Sequence, residues 1–349
     1  MKIYFYHTQN IQDILSRYRQ GQFPGHLLYG ATHLEDYGIE IVWHQFIKST
    51  SRIKRMLLTA WRVLRLGNKI DAVYATHYTG IEILIFLRAL GIFHKPIAIW
   101  HHQPVVKSSS KIREILGHLF YKGIDEMFFF SQKLIDDSIK THKVDPLRLH
   151  LGYWGADLDF YDRLLAEQHH REGFVSSGKE MRDMDTLVRA FNDEELPLDI
   201  YLNRSNGEIN YERLFSSLHI KENIKVHFTT SQGVPELARL VNKHSCVVIC
   251  CQDTKYTVGL TTVVEALALG LPVICSRNLQ IPVDFNKEGC GISVPYYDVE
   301  EWKNAVNYIH THPEEAKEMG RKGRALAERL YNDRHCAEGV AQVLKDMNG

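Results

Sequence analysis

Short apolar runs alternating with longer amphipathic stretches constrain this 349-residue chain more than any other feature. Six such runs precede residue 155: KIYFYH, IEIVWH, DAVYATH, PIAIWHH, EMFFFS and LHLGYW. The pattern restarts after residue 170 with EGFVSSG, LDIYLN, IKVHFT, CVVICC, PVICSR and GISVPY. Strands separated by helix-length connections predict parallel sheets with crossover helices. The restart predicts two α/β units of similar size, which the length accommodates. The polar stretch DFYDRLLAEQHHREG lacks strand character, so the linker is expected there.

Composition narrows the function classes. Lys+Arg and Asp+Glu both number 42, which gives no global charge argument for nucleic acid. The six cysteines form no CxxC and mostly sit in strand-like runs, so buried reduced thiols in a cytoplasmic protein are expected. MKIYFYHTQ reads as a short strand and not as a signal peptide. IEILIFLRALGIF is interrupted by Arg88 and is too short to span a bilayer. The 19 histidines show neither HxxxH nor paired Cys/His spacing, so no metal site is expected.

Two stretches of the second half carry chemistry. In FVSSGKEMRDMDTLVRAF, a strand runs into Gly178, Lys179 and Arg182 before a helix. Ligands of doubly wound folds sit at strand carboxyl ends, and two cations beside a helix N-terminus suit a phosphate. Such a loop also reads as a solvated turn. In TVGLTTVVEALALGLPVICS, Gly259, Leu260, Thr261 and Thr262 open a helix, and Glu265 lies one turn on. Hydroxyls and N–H groups there can bind an anion, and a carboxylate can accept two hydrogen bonds from a ribose diol. Simple helix capping is the other reading.

GLTTVVEALALGLPVI resembles the nucleotide-sugar motif of retaining GT-B glycosyltransferases, in particular family 4. SSGKEMRDMDTLVRAF is similar to that family's phosphate-clamp loop, LHLGYWGADLDFYD to its interdomain strand, and the stretch from Gly291 to Asn332 to its C-terminal helices. The resemblance is strong from about residue 149 onward. It implies two Rossmann-like doubly wound domains facing across a cleft, over 1–165 and 166–332, with 333–349 returning to the first. It implies sugar transfer from a nucleotide sugar to a glycan or lipid-linked acceptor, with no cofactor and no metal. Glu265 would bind the ribose. Gly178, Gly259, Leu260, Thr261 and Thr262 would hold the diphosphate, and Lys179 and Arg182 would stabilise it as it leaves. The family's first glutamate is replaced by Thr257, so Asp253, Thr257 and neighbouring backbone are left to hold the donor sugar.

In the first half, His101 is the closer match to a family histidine aimed at the donor sugar, with His102 in reserve. His77, Gly25 and His26 are candidates on the acceptor side. The DLD of Asp157–Asp159 falls within the interdomain strand motif and reads as structural rather than as a metal-binding DxD. Val42 to Ile70 holds seven Lys/Arg and no acid, with Ile53, Met56, Leu57, Ala60, Trp61 and Leu64 at helical spacing. That pattern suits peripheral membrane contact through 48–69, or a helix packed on the sheet with a solvated basic face. A non-catalytic nucleotide-sugar-binding partner, a GT-B epimerase or hydrolase and a glycogen-type phosphorylase remain as alternatives. No GxGxxG follows the first strand, which disfavours an oxidoreductase.

Overall fold

The computed structural model describes residues 1–167, 170–178, 180–206, 209–229 and 234–347. The chain divides into two compact units, Met1–Trp154 with Asp333–Gly349, and Gly155–Asn332. Each is built on its own six-stranded sheet, and all twelve apolar runs of the sequence supply one strand apiece.

The first unit contains β1 (Lys2–Tyr6), β2 (Glu40–Trp43), β3 (Ala72–Ala75), β4 (Ile97–Trp100), β5 (Glu126–Phe129) and β6 (Leu149–Leu151). They lie in the order β2-β1-β3-β4-β5-β6, all parallel. The connections carry α1 (Ile11–Arg19), α2 (Arg52–Leu66), α3 (Glu82–Ala89), α4 (Lys111–Lys122) and α5 (Gln132–Ile139). Every residue of β3 and β4 is buried, which is why AVYA and IAIW read as unbroken apolar runs. Trp100 and Tyr74 are fully buried among them, and their polar tips are satisfied: Trp100 Nε1 donates to Tyr74 Oη at 2.6 Å, and Tyr74 Oη to the Tyr29 carbonyl at 2.6 Å.

The second unit contains β7 (Phe174–Ser177), β8 (Leu198–Leu202), β9 (Ile224–Phe228), β10 (Cys246–Ile249), β11 (Val273–Ser276) and β12 (Gly291–Val294). Their order is β9-β8-β7-β10-β11-β12, again all parallel. Around them lie α6 (Leu158–Leu165), α7 (Met184–Glu194), α8 (Tyr211–Ser217), α9 (Val234–Val241), α10 (Leu260–Ala268), α11 (Phe285–Glu288), α12 (Val299–Thr311) and α13 (Pro313–Arg329). Phe174, Leu187, Phe191, Ile200, Val248 and Trp302 form the centre of the core.

The linker expectation is corrected. Residues 158–165 form α6, whose Phe160, Tyr161 and Leu164 are buried and which packs against α10. The break between units falls at Trp154–Gly155 and not at residue 165. Apolar side chains at positions i, i+1 and i+4 outweigh the polar composition of the segment. At the other boundary, α14 (Asp333–Asp346) packs in the first unit on the 3-10 segment Ala31–Tyr37, burying Cys336, Ala337, Val340 and Leu344. His33 Nε2 meets Asp333 Oδ2 there at 3.0 Å.

All six cysteines are free and buried. No helix among the described residues is long and apolar enough to cross a membrane. In each sheet the winding direction reverses once, beside β1 and β3 in the first unit and between β7 and β10 in the second. Loops leaving the carboxyl ends of those strands diverge, and such switch points are where open α/β sheets bind ligands.

Candidate active site

At the switch point of the second unit the loops after β7 and β10 are stitched together. Asp183 N–H donates to the Cys250 carbonyl at 3.0 Å, and Gln252 N–H to the Met181 carbonyl at 2.8 Å. Gly178, with φ +110°, ends β7, and Gly259, with φ +89°, precedes α10. Among the described residues no side chain caps α10, which leaves its first-turn N–H groups without a side-chain acceptor.

Arg182 lies between these loops. Only 3% of it is exposed. Nε and Nη2 donate to the Ser177 carbonyl at 3.3 and 3.0 Å, and Nη1 to the Glu180 carbonyl at 2.9 Å and Cys251 Sγ at 3.4 Å. Nη2 also donates to Thr262 Oγ1 at 3.4 Å. All five guanidinium N–H groups are thus taken by neutral acceptors. Burial pushes the Cys251 thiol up, which keeps it an uncharged partner. Among the described residues no carboxylate lies within ion-pair distance of Arg182. A buried cation with no carboxylate ion-paired to it makes the space in front of it more favourable for an anion.

The sequence expectations for this unit can now be placed. Thr262 is buried against Arg182, whereas Thr261 is exposed in the first turn of α10. Glu265 is half-buried beside α6, where its charge and hydrogen bonding, after burial, raise Tyr161 well above the usual phenol range. Leu260 is buried and offers only backbone. Asp253 is exposed and its N–H donates to Tyr297 Oη at 3.0 Å, while Thr257 is half-buried. Lys179 lies outside the described residues. Asp157 caps α6 by accepting from Phe160 N–H at 2.9 Å, which accounts for the DLD as a structural element.

In the first unit a cavity of about 390 Å³ opens at the carboxyl ends of β1, β3 and β4, lined by His7, Thr8, Tyr29, His77, Thr79 and His102 among others. Its imidazoles are held in fixed tautomers. His102 Nε2–H donates to the Thr76 carbonyl at 2.8 Å, and Nδ1 of His7 and His77 accept from Gln9 and Thr79 N–H at 3.0 and 2.9 Å. Burial lowers His7 and His77 to about 4, so both are neutral near pH 7. Uncharged N–H groups and threonine hydroxyls beside an aromatic ring suit a hydroxyl-rich ligand.

His102, and not His101, lines the cavity. His101 is buried against Phe129, with Nδ1 on the Gln103 carbonyl and Nε2 3.2 Å from Tyr121 Oη, and burial lowers it to about 4. Successive side chains leave a strand end on opposite sides, so only one of the pair could face the opening. His26 is fully buried edge-on to Trp154, whose Nε1 donates to the His26 carbonyl at 2.9 Å. Gly25 is buried beside it, and neither lines the cavity.

Residues 171–326 match the family described as glycosyl transferases group 1. This segment, rather less than half of the chain, is what resembles that family. Among curated relatives, the MMP alpha-(1->4)-mannosyltransferase of Mycolicibacterium hassiacum is 24% identical over 243 residues, covering 67% of this chain and 57% of that enzyme. The D-inositol 3-phosphate glycosyltransferase of Saccharomonospora viridis is 29% identical over 119 residues, 34% of this chain and 27% of that one. The chain therefore spans little more than half the length of the first relative and about a quarter of the second. Anabaena Alr3699/HepE, solved with UDP and glucose, superposes with a TM-score of 0.69 at 15% identity over 99% of this chain and 100% of that one. The fold of the chain is GT-B.

The matched segment contains Arg182, Gly259 and Glu265. Sequence reading missed the partners that fix these groups: Ser177 and Glu180 through their carbonyls, Cys251 through its sulfur, and Tyr161. Tyr211 Oη, which accepts Arg182 N–H at 3.2 Å, was missed as well. Cys251, Tyr211 and Tyr161 are brought in by contacts between separate segments, and Ser177 and Glu180 act through backbone carbonyls, so none carries a side-chain signature in the sequence. His7 could have been found, since it follows β1 as His77 and His102 follow β3 and β4.

Proposed function

We propose that this chain transfers a sugar from a nucleoside-diphosphate sugar to an acceptor hydroxyl, with retention of anomeric configuration, in glycan or lipid-linked saccharide synthesis. The observation that carries the reading is the buried Arg182 guanidinium, without a carboxylate partner among the described residues, beside the uncapped N-terminus of α10 in the segment that matches glycosyl transferases group 1. Anabaena Alr3699/HepE is known in complex with UDP, with UDP-glucose, and with UDP and glucose, which supports a nucleotide-sugar donor.

The diphosphate sits ahead of Gly178, Gly259 and the first turn of α10, and Glu265 takes the ribose diol. The bond from the anomeric carbon to the diphosphate oxygen breaks, and a bond to the acceptor oxygen forms. The acceptor proton leaves with the nucleoside diphosphate or passes to water. Arg182 opposes the charge that grows on the diphosphate, aided by Lys179 on sequence grounds alone, and no divalent ion is needed. Asp253, Thr257 and the backbone around them hold the donor sugar. His77 and His102 hold sugar or acceptor hydroxyls.

Incubation with a panel of nucleotide sugars tests the reading. The matching donor should raise the melting temperature, a gain of about 2.7 kcal/mol at a hundredfold excess over Kd. It should then be hydrolysed slowly without acceptor and without divalent ions, and the product anomer should match the donor by NMR. A donor that binds and is never turned over, with any acceptor tried, supports the second reading, a non-catalytic partner. Thr257 in place of a family glutamate is what favours that alternative.

A further inference from the structure

α2 is packed the opposite way from an ordinary sheet-covering helix. It buries Thr59, Ala60 and Val63 and turns its large apolar residues outward. Ile53 is 65% exposed, Trp61 is 55% exposed, and Leu57 and Leu64 are also exposed. At positions i, i+4, i+8 and i+11 they form a single stripe along the helix. Exposed Lys54 and Arg65 flank it, and Arg65 lies over the Trp61 ring at 5.3 Å. Arg55 and Arg62 face away, donating to the Ser49 and Gln45 carbonyls at 2.5 and 2.7 Å.

The surface continues across two further helices. α3 packs against both α2 and α4. No residue of α4 is buried, and Ile112 and Ile115 are 71% and 68% exposed, with Leu116 beside them. Lys111, Arg113 and Lys122 are exposed around this second stripe. Its one acid, Glu114, is tied to Lys143 at 2.8 Å.

We propose that the α2–α3–α4 face docks on an anionic lipid bilayer. Scattered exposed apolar residues are ordinary, but two adjacent stripes rimmed by cations are not. The formal net charge of the chain is zero, so the cation excess belongs to this face and not to the whole protein. A second copy would oppose like charge to like charge. An anionic bilayer answers both features. Aliphatic side chains enter the acyl boundary, Trp61 lies at the headgroup level, and Lys54, Arg65, Lys111 and Arg113 meet the headgroups. The inference stands on this surface alone and does not depend on the transferase reading.

Flotation of the full chain with phosphatidylcholine vesicles containing about one third phosphatidylglycerol tests it. Binding is expected at low salt, with loss at high salt and on pure phosphatidylcholine. Leu57→Ser with Trp61→Ser, Ile112→Ser with Ile115→Ser, and Lys54→Glu with Arg65→Glu should each weaken binding roughly tenfold. Because these positions are exposed, thermal melts should be unchanged. No flotation of the wild-type chain at low salt overturns the proposal. So does flotation that all three pairs leave intact. A dimer seen by light scattering and broken by the same substitutions, in a chain that does not float, assigns the face to a second copy instead.

Discussion

Arg182 closes over Gly178 so tightly that a Cβ on that glycine would stand 2.1 Å from Arg182 Nη2. The glycine also sits at φ +110°, outside the range side chains favour. The clamp around Arg182 therefore depends on an absent side chain four residues earlier. Gly178→Ala should displace the guanidinium and weaken UDP binding about tenfold or more, with a stability loss of roughly 1–3 kcal/mol. Calorimetric titration with UDP, alongside urea unfolding, measures both. Unchanged affinity would remove the clamp from the nucleotide site.

Arg182→Lys keeps the charge and loses the planar fork. A lysine offers three donors from one point and cannot serve Ser177, Glu180, Cys251 and Thr262 together. We expect a loss of roughly 2–4 kcal/mol in unfolding free energy, because buried acceptors are left unpaired. In turnover, kcat should fall more than KM rises, since charge grows on the diphosphate as the bond breaks. A change confined to KM would make Arg182 a ground-state anchor.

Glu265→Ala should weaken nucleotide binding by about 1–3 kcal/mol, the scale of lost charge-assisted hydrogen bonds. Tyr161→Phe separates two roles for this carboxylate. If Glu265 meets the ribose directly, the Tyr161 variant should retain most of the affinity. Equal losses in both variants would mean that Glu265 acts mainly by fixing α6 against α10.

The histidine pair after β4 should divide by function. His102→Ala is expected to lower turnover with a small change in melting temperature, because it lines a cavity. His101→Ala should lower the melting temperature, because it removes a buried ring packed against Tyr121 and Phe129. The reverse pattern would return His101 to the site.

The first unit should be acid-labile. Burial holds His7, His44, His77 and His101 near 4, against about 6.5 in an unfolded chain. Between those values the unfolded state binds protons that the folded state refuses, so their contribution is intact above about 6.5 and declines as pH falls toward 4. Urea midpoints measured across that window should drop steadily. His101→Gln removes one of the four titrations and should flatten the slope.

What the sequence determined by itself was the sheets and where the helix of the Gly-Leu-Thr-Thr stretch begins. Twelve apolar runs became twelve strands, and the central ones, such as β3 and β4, read as unbroken because strands buried on both faces need continuous apolar side chains, a local requirement. The Gly-Leu-Thr-Thr start of α10 and Glu265 one turn on were legible for the same reason, since helix geometry fixes their spacing. Tertiary structure alone decided which side each remaining residue faces. It chose His102 over His101, buried His26, and made α6 part of the second unit. It also turned the apolar residues of α2 outward, although periodicity only placed them on one face. Periodicity tells which residues share a face, but burial of that face depends on what other segments bring against it. At α2 the small residues Thr59, Ala60 and Val63 are buried, and the stripe of Ile53 and Trp61 is left in solvent.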